Sequence, residues 1–281
     1  MYVGFTTAGN SDIGMYPLTP QVVPFGKEFA PATDPQSFTI AGGKLYWIDG
    51  VRVLDANLDG SGLSVLDTFG IDPTSIAVNS AGGQLYVGFT TAGSNDIGVY
   101  PLTPEASGKK FAPATDPQSF TIAGGKLYWI DGVQVLDANL DGSGLSVLDT
   151  FGIDPTSIAV NSAGGQLYVG FTTAGSNDIG VYPLTPEASG KKFAPATDPQ
   201  SFTIAGGKLY WIDGVQVLDA NLDGSGLSVL DTFGIGPTSI AVSVAPPTVP
   251  EASTWVMMLL GFAGLGLSGY RASQWRAAVA V

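Results

Sequence analysis

The residues of this chain that could do chemistry are almost all carboxylates. Its 281 residues include no His and no Cys, while 24 are Asp or Glu and 11 are Lys or Arg. A histidine-based catalytic triad and a zinc site of the usual ligand types are therefore excluded. Carboxylate pairs and cation sites built from oxygen ligands remain.

Five aspartates recur directly before a proline, at intervals of 38 or 44 residues, and a sixth step of the series has Gly236 before Pro237. If the fold gathers these carboxylates, they form a negative mouth that attracts Ca²⁺ or a polyhydroxylated ligand. The alternative is that Asp-Pro is simply favourable turn chemistry where a strand begins. The sequence leaves both open. The five are Asp34, Asp72, Asp116, Asp154 and Asp198.

An internal repeat indicates which elements position these residues. The segment YVGFTTAG occurs three times, and a weaker echo, KLYWIDG, lies between its copies. A period near 40 residues with about four strands is typical of a β-propeller blade. Six such periods predict an all-β, six-bladed propeller over residues 1–244. The tyrosines that mark the period are Tyr2, Tyr46, Tyr86, Tyr128, Tyr168 and Tyr210.

The second period predicts four strands, at Ser37–Ile40, Lys44–Ile48, Val51–Leu58 and Ser64–Thr68. Asp49-Gly50 between the middle pair is a strong hairpin signal. The alternating Val, Ile, Leu, Tyr and Phe side chains suit half-buried strands.

The two ends of the repeat region predict a closed ring. The chain opens in what is elsewhere the second strand of a blade, and the missing first strand reappears at Thr238–Val242. Pairing it with Tyr2–Thr6 would complete the first blade and remove its exposed edge. The Asp-Pro steps would then surround the central channel on one face.

The segment Lys126–Val160 resembles a YWTD, or LDL-receptor class B, propeller repeat, through LYWID, ANLDGS and the G-I-x-x-P-x-x-IAV run. Three of the six periods carry this resemblance. It implies that the motif aspartates bond to neighbouring backbone, fastening hairpins and blades. The tryptophans are expected to pack between blades rather than to stack on sugars. These residues are Trp47, Asp49, Trp129, Asp131, Trp211 and Asp213.

The C-terminal residues have a different character from the repeats. A Pro-rich linker at 245–254 leads into the uncharged apolar run 255–270, followed by a basic tail at 271–281. With the residues just before it, the run gives 19 uncharged residues from Ala252 to Tyr270, which predicts a transmembrane-type helix because about 20 residues span a bilayer. The basic residues that follow favour a cytoplasmic C-terminus and an external propeller.

Val249–Arg271 resembles the PEP-CTERM sorting signal of exopolysaccharide-producing Gram-negative bacteria. The matching features are the Pro250-Glu251 pair after Val249, the apolar helix and basic Arg271; Ala252 replaces the usual second proline. The resemblance implies an exosortase-type processing partner, cleavage near Pro250-Glu251 and delivery to the cell surface or matrix. Such a protein is expected to carry a secretory signal peptide, whereas Met1 opens directly in a strand.

These observations predict a non-enzymatic binding or matrix protein whose partner is an extracellular polysaccharide or a surface protein. Loops at Thr6–Asp12, Thr90–Asp96 and Thr172–Asp178 are candidate binding segments. A net charge of −13 disfavours binding to nucleic acid. No cofactor is expected apart from Ca²⁺ at the aspartate ring. The alternatives are a permanently anchored adhesion module and a carboxylate- or metal-dependent enzyme.

Overall fold

A computed structural model describes residues 1–6, 12–18, 27–90, 96–172 and 178–244. In these residues, 24 strands form six antiparallel four-stranded sheets. Residues Met1–Ser243 make one compact unit. The all-β, six-bladed propeller predicted from the repeat is confirmed.

Blades 1, 3 and 5 carry the YVGF segment and are called the YVGF blades. Their strands, from the channel outward, are β24 (Pro237–Ala241), β1 (Tyr2–Phe5), β2 (Asp12–Met15) and β3 (Lys27–Pro31) in blade 1; β8 (Pro73–Asn79), β9 (Gln84–Phe89), β10 (Asp96–Pro101) and β11 (Lys109–Pro113) in blade 3; β16 (Pro155–Asn161), β17 (Gln166–Phe171), β18 (Asp178–Pro183) and β19 (Lys191–Pro195) in blade 5.

Blades 2, 4 and 6 carry the WID segment and are called the Trp blades. Their strands are β4 (Pro35–Ala41), β5 (Lys44–Asp49), β6 (Arg52–Asn57) and β7 (Ser64–Thr68) in blade 2; β12 (Pro117–Ala123), β13 (Lys126–Asp131), β14 (Gln134–Asn139) and β15 (Ser146–Thr150) in blade 4; β20 (Pro199–Ala205), β21 (Lys208–Asp213), β22 (Gln216–Asn221) and β23 (Ser228–Thr232) in blade 6.

The ring closes as predicted, because β24 pairs with β1 in an antiparallel register. Val3 lies opposite Ile240, and Tyr2 opposite Ala241. Thr238 strengthens the joint, since its hydroxyl donates to the Gly4 carbonyl at 3.2 Å and to the Pro35 carbonyl at 2.9 Å. The first blade is therefore assembled from both ends of the propeller sequence.

The predicted strand limits in blade 2 are right to within one or two residues. The innermost strand is longer than expected, running from Pro35 to Ala41. The third strand starts at Arg52 rather than Val51. Val51 belongs to the turn instead, since Gly50 has a φ of +60° and the Val51 carbonyl accepts the Phe69 N–H at 2.9 Å.

The core lies between blades rather than within a single sheet. One cluster joins Tyr2 and Ile13 of blade 1 to Leu45 and Trp47 of blade 2, and equivalent clusters join blades 3 and 4 and blades 5 and 6. Trp47 is completely buried there. Because burial of one large apolar side chain contributes about 1.5–3 kcal/mol, each joint is a substantial source of stability.

The predicted transmembrane-type helix at 255–270 lies outside the described residues. Among the residues that the structure does describe, no helix has both the length and the apolar character needed to cross a membrane.

Candidate functional site at the channel mouth

The six innermost strands enclose a central cavity of about 990 Å³. The face at which these strands begin is called the mouth, and there the Asp-Pro steps lie. Asp34, Asp72, Asp116 and Asp154 line the cavity, whereas Asp198 is not among its lining residues. No Lys or Arg lines the cavity in the part of the chain that the structure describes. The mouth therefore has a negative electrostatic character.

Three of the mouth carboxylates are held by hydrogen bonds. Asp34 accepts the Thr6 hydroxyl on one oxygen at 3.0 Å and the Gln36 side-chain amide on the other at 2.8 Å. Asp116 has the same two contacts in blade 4, at 3.1 and 2.8 Å. Asp198 accepts the Thr172 hydroxyl at 3.3 Å. The threonine contacts join each Trp blade to the preceding YVGF blade.

The motif aspartates position these three carboxylates. Asp49 is buried, and its Oδ1 accepts the backbone N–H groups of Thr33 and Asp34 at 2.8 and 2.7 Å. Asp131 and Asp213 make the same bonds in blades 4 and 6. Each motif aspartate thus fixes the connection that carries the mouth carboxylate of its own blade.

The motif tryptophans lie in the joints between blades. Trp47, Trp129 and Trp211 are completely buried. Each packs edge-on against a phenylalanine of the preceding blade, with ring centroids 6.3–6.4 Å apart. They present no surface on which a sugar could stack.

The other mouth positions lack this support. Asp72 and Asp154 are exposed, and neither side chain has a hydrogen-bond partner among the described residues. The paired second strand ends in Phe89 or Phe171 here, so no motif aspartate organises the connection. Gly236 takes the third such position. The mouth therefore alternates between held carboxylates and free positions.

A belt of serine hydroxyls links neighbouring blades below the mouth. Ser37 Oγ accepts the Ile76 N–H at 2.9 Å and lies 3.3 Å from Ser75 Oγ. Ser75 Oγ in turn accepts the Phe120 N–H at 2.9 Å. The pattern repeats around the ring through Ser119, Ser157, Ser201 and Ser239.

Three of these serines have a strained backbone. Ser37, Ser119 and Ser201 have φ angles of 49–51°, a region that non-glycine residues rarely occupy. Each lies in a β-bulge of the innermost strand of a Trp blade. Such strain costs about 1–3 kcal/mol and persists only where the surroundings hold it. The belt supplies that constraint and makes the mouth rigid.

A phenylalanine follows each strained serine and also lines the channel. A Cβ at Gly88 would lie 2.8 Å from Cζ of Phe120. Glycine is therefore required at position 88 if the Phe120 side chain is to line the channel. Phe38 and Phe202 have the same relation to Gly4 and Gly170. Sequence reasoning missed these phenylalanines, the glutamines and the serines. The segment PQSF, repeated after three of the mouth aspartates, was the available signal.

The channel-mouth residues offer carboxylates, amides, hydroxyls and aromatic edges, which together suit hydrogen bonding to a polar ligand. In the described residues, no three Asp or Glu side chains lie together closely enough to hold one metal ion. Calcium binding at the ring stays a prediction. A melting temperature that does not change from micromolar to millimolar calcium would contradict it.

A second set of buried charges lies away from the mouth. Asp55 is 1% exposed, forms an ion pair with Lys44 and accepts the Ser64 hydroxyl. The hydrogen bond to Asp55 raises the pKa of Lys44 above its ordinary value. The same triplet occurs in blades 4 and 6, around Asp137 and Asp219. The Lys, Asp and Ser of each triplet are partners for one another, so the triplet stabilises the interior of its blade.

Several predicted site residues lie outside the described residues. Val249, Pro250, Glu251, Ala252 and Arg271 are all in this part of the chain. The interiors of the three candidate binding loops, residues 7–11, 91–95 and 173–177, are there as well.

Comparison with known proteins places the fold among solved propellers. The chain is similar to a chain in the crystal structure of a nidogen/laminin complex, with a TM-score of 0.70 and 18% identity. The similarity covers 85% of this chain and 96% of that one. At this identity it shows the fold alone. No protein-family model matches the sequence. A search of curated proteins found no match either.

Proposed function

We propose that this protein is a non-enzymatic binding propeller that acts outside the cytoplasm and presents its channel mouth to an extracellular polysaccharide or a surface protein. The observation that carries the proposal is a hydrogen-bonded ring that also presents two exposed carboxylates, Asp72 and Asp154, which have no hydrogen-bond partner among the described residues. Preorganised polar groups on a rigid scaffold bind well because little order is lost on binding.

The arrangement of the carboxylates favours binding over catalysis. Both oxygens of Asp34 and of Asp116 are already occupied by Thr and Gln donors. An enzyme would use Asp72 and Asp154, the two mouth carboxylates left free among the described residues. It would also need a substrate held between them. Loss of a hydrolytic activity in Asp72→Asn/Asp154→Asn would support that alternative.

A macromolecular partner is supported by the fold comparison. The similar propeller belongs to a protein found in a nidogen/laminin complex. A propeller of this shape can therefore take part in a protein complex. For this chain, the uncharged Gln, Ser and Thr lining of the mouth suits a polyhydroxylated polymer equally well.

Binding is tested with exopolysaccharide purified from the native host and immobilised on a sensor surface. We expect Asp72→Asn/Asp154→Asn to weaken binding at least about tenfold, the effect of about 1.4 kcal/mol. The matched control is Asp59→Asn/Asp141→Asn, which removes the same charge from exposed turns on the opposite face. Equal binding by both variants would overturn a role for the mouth.

The sorting tail is the second part of the proposal. Its support is the residue pattern itself, with Val249-Pro250-Glu251 ahead of an uncharged run and Arg271 after it. On this proposal an exosortase-type enzyme releases the propeller to the cell surface or matrix, after transient anchoring in the inner membrane. Permanent anchoring by residues 255–270 would instead make the protein an adhesion module.

Mass spectrometry of the mature C-terminus separates these outcomes in the native host. A terminus near Glu251 on extracellular protein supports sorting, and Pro250→Ala/Glu251→Ala is expected to block it. An intact tail in the membrane fraction supports the adhesion module. An intact cytoplasmic protein would overturn both.

A further inference from the structure

The serine belt has more hydroxyl hydrogens than it uses. The oxygens of Ser37 and Ser75 lie 3.3 Å apart, and each of them also accepts a backbone N–H. Only one of the two serines can donate to the other, because each hydroxyl has a single hydrogen. One hydrogen of the pair is therefore left without an acceptor among the described residues. The pairs with the same contacts are Ser119–Ser157 and Ser201–Ser239.

Burial decides which hydroxyl of a pair keeps its hydrogen free. Ser75 is 3% exposed, so its hydrogen is used in the bond to Ser37. Ser37 is half-buried and lines the central cavity, so its own hydrogen is left for a group in the channel. The neighbouring Thr74 hydroxyl is engaged, since it donates to the Pro117 carbonyl at 2.7 Å. The channel wall thus presents three spare donors, on Ser37, Ser119 and Ser201.

The requirements on a ligand change with depth in the channel. At the mouth, Asp72 and Asp154 offer only acceptors, and no Lys or Arg lines the cavity in the part of the chain that the structure describes. The spare donors lie two residues further along the strands, about 7 Å below the mouth prolines. A group that reaches them must accept hydrogen bonds without being an anion, since the carboxylates above repel negative charge. A neutral carbonyl oxygen meets both conditions.

Aromatic side chains border the spare donors. Phe38 directly follows Ser37 in the chain and lines the same cavity, and Ile48 and Ile130 line it as well. This apolar surface suits a small apolar group attached to the acceptor, of which a methyl group is the simplest. The phenylalanines that follow the three spare donors are Phe38, Phe120 and Phe202.

We propose that the ligand group that enters the channel is the acetamido group of an N-acetylated amino sugar. Its carbonyl would accept from the belt serines, its methyl would contact the phenylalanines, and its N–H and the sugar hydroxyls would donate to the mouth carboxylates. A plain hexose has no such carbonyl or methyl, and a uronic acid carries the wrong charge. Such binding presupposes the proposed function, since the acetamido sugar would be a unit of the polysaccharide bound at the mouth.

Calorimetric titration with two matched trimers tests the proposal. One is β-1,4-linked N-acetylglucosamine and the other β-1,4-linked glucose, so they differ only in the acetamido groups. The full chain is kept in a polyoxyethylene detergent, which contains no sugar. We expect the N-acetylated trimer to bind at least about tenfold more tightly, because it alone offers the spare hydrogens a carbonyl. Equal affinities, or no binding of either trimer, overturn the proposal.

A belt variant tests the serines themselves. Ser37→Gly/Ser119→Gly/Ser201→Gly removes the three spare donors, and glycine suits the positive φ of these positions. We expect affinity for the N-acetylated trimer to fall to that of the glucose trimer, whose own affinity should hardly change. The matched control, Ser61→Gly/Ser143→Gly/Ser225→Gly, removes three hydroxyls from exposed turns on the opposite face and should keep the preference.

Two results with the belt variant would overturn the proposal. One is an unchanged preference for the N-acetylated trimer, and the other is equal weakening of both trimers, which a purely structural defect would cause. Circular dichroism melts establish that each variant is folded. Host exopolysaccharide that still binds through Asp72 and Asp154 after such a result would leave the proposed function standing.

Discussion

Asp137 shows how a single buried carboxylate is tolerated in a blade. Lys126 supplies an ion pair and Ser146 donates its hydroxyl at 2.6 Å, so both carboxylate oxygens have partners. An unpaired charge at this depth would be costly, because the interior solvates charge poorly. The role of Asp137 is therefore structural, although Asp, Lys and Ser are residue types that also occur in catalytic sites.

Replacing Lys126 with Met should therefore lower the free energy of unfolding by about 2 kcal/mol, measured in urea. Lys126→Met/Asp137→Asn should recover part of the loss, because no buried charge is then left unpaired. The matched control is Lys110→Met, which breaks the exposed ion pair with Asp96 and should cost less than about 1 kcal/mol. Equal losses from Lys126→Met and Lys110→Met would contradict this account.

Two buried tyrosines make stability sensitive to alkaline pH. Burial raises the pKa of Tyr86 and of Tyr168 to about 12, and each hydroxyl donates to a backbone carbonyl of the next blade. The folded pKa lies above the unfolded value near 10, so this stabilisation is complete below pH 10 and is lost as the pH rises from 10 to 12.

We expect each tyrosine to contribute on the order of 2 kcal/mol to this loss. Urea unfolding between pH 9 and 12, with absorbance of the tyrosinate as a second readout, measures it. Tyr86→Phe/Tyr168→Phe should show a shallower decline. An unchanged decline in this variant would mean that other groups govern alkaline unfolding.

At the scale of elements, the strand that closes the ring differs from its sequence equivalents. Strand β16 is followed directly by its partner β17, whereas β24 pairs with β1 from the other end of the propeller sequence. Ile240 and Ile158 are both almost fully buried at equivalent positions. The near-identical repeats thus provide an internal control for the closure.

Ile240→Ala and Ile158→Ala should each lower the free energy of unfolding by about 3 kcal/mol, because each leaves a similar cavity. Hydrogen exchange is expected to tell them apart. Amides of Tyr2–Phe5 should lose protection in Ile240→Ala, while Gln166–Phe171 should remain protected in Ile158→Ala, since its chain connection holds the pair together. Equal protection would argue that closure is no weaker than the other joints.

At the scale of the whole molecule, the joints fix the number of blades. Six equal steps turn the chain by about 60° each, and the clusters around Trp47, Trp129 and Trp211 are packed for that angle. Deletion of residues 87–168 leaves matching ends and four blades, but the remaining joints would have to open to about 90°.

The shortened chain should therefore lose the cooperative monomeric fold. Light scattering after size exclusion, together with a thermal melt, measures this outcome. A monodisperse monomer with a sharp melt would show that the joints adapt to a new angle. Deletion of 5–10 residues from the basic tail is the control, because it removes no blade.

Much of the fold could be read from local sequence signals. The 40-residue period, the Asp-Gly turns and the alternating apolar residues predict the blades, and the broken repeat at Tyr2 and Thr238 predicts the closure. The predicted start of the third strand was one residue early, at Val51, whose carbonyl accepts the Phe69 N–H from the end of the blade. That bond joins residues 18 positions apart, which a local pattern cannot reveal.

The candidate site was predictable only in its outline. The aspartate series was visible in the sequence as a set of equal positions. The tertiary structure separates it into Asp34, Asp116 and Asp198, which have partners, and Asp72 and Asp154, which have none among the described residues. It also brings Ser37 of one blade to Ser75 of the next, and Ser239 to the Phe38 backbone 201 residues away.

By itself, the sequence determined the repeat, the strand content, the number of blades and the residue that lies at each blade position. Those properties depend on local propensity and periodicity, which each 40-residue segment carries in its own composition. Only the tertiary structure decided which carboxylates are held and which are free, and which hydroxyls complete the serine belt. Those outcomes depend on contacts between blades, whose geometry exists only once the ring has closed.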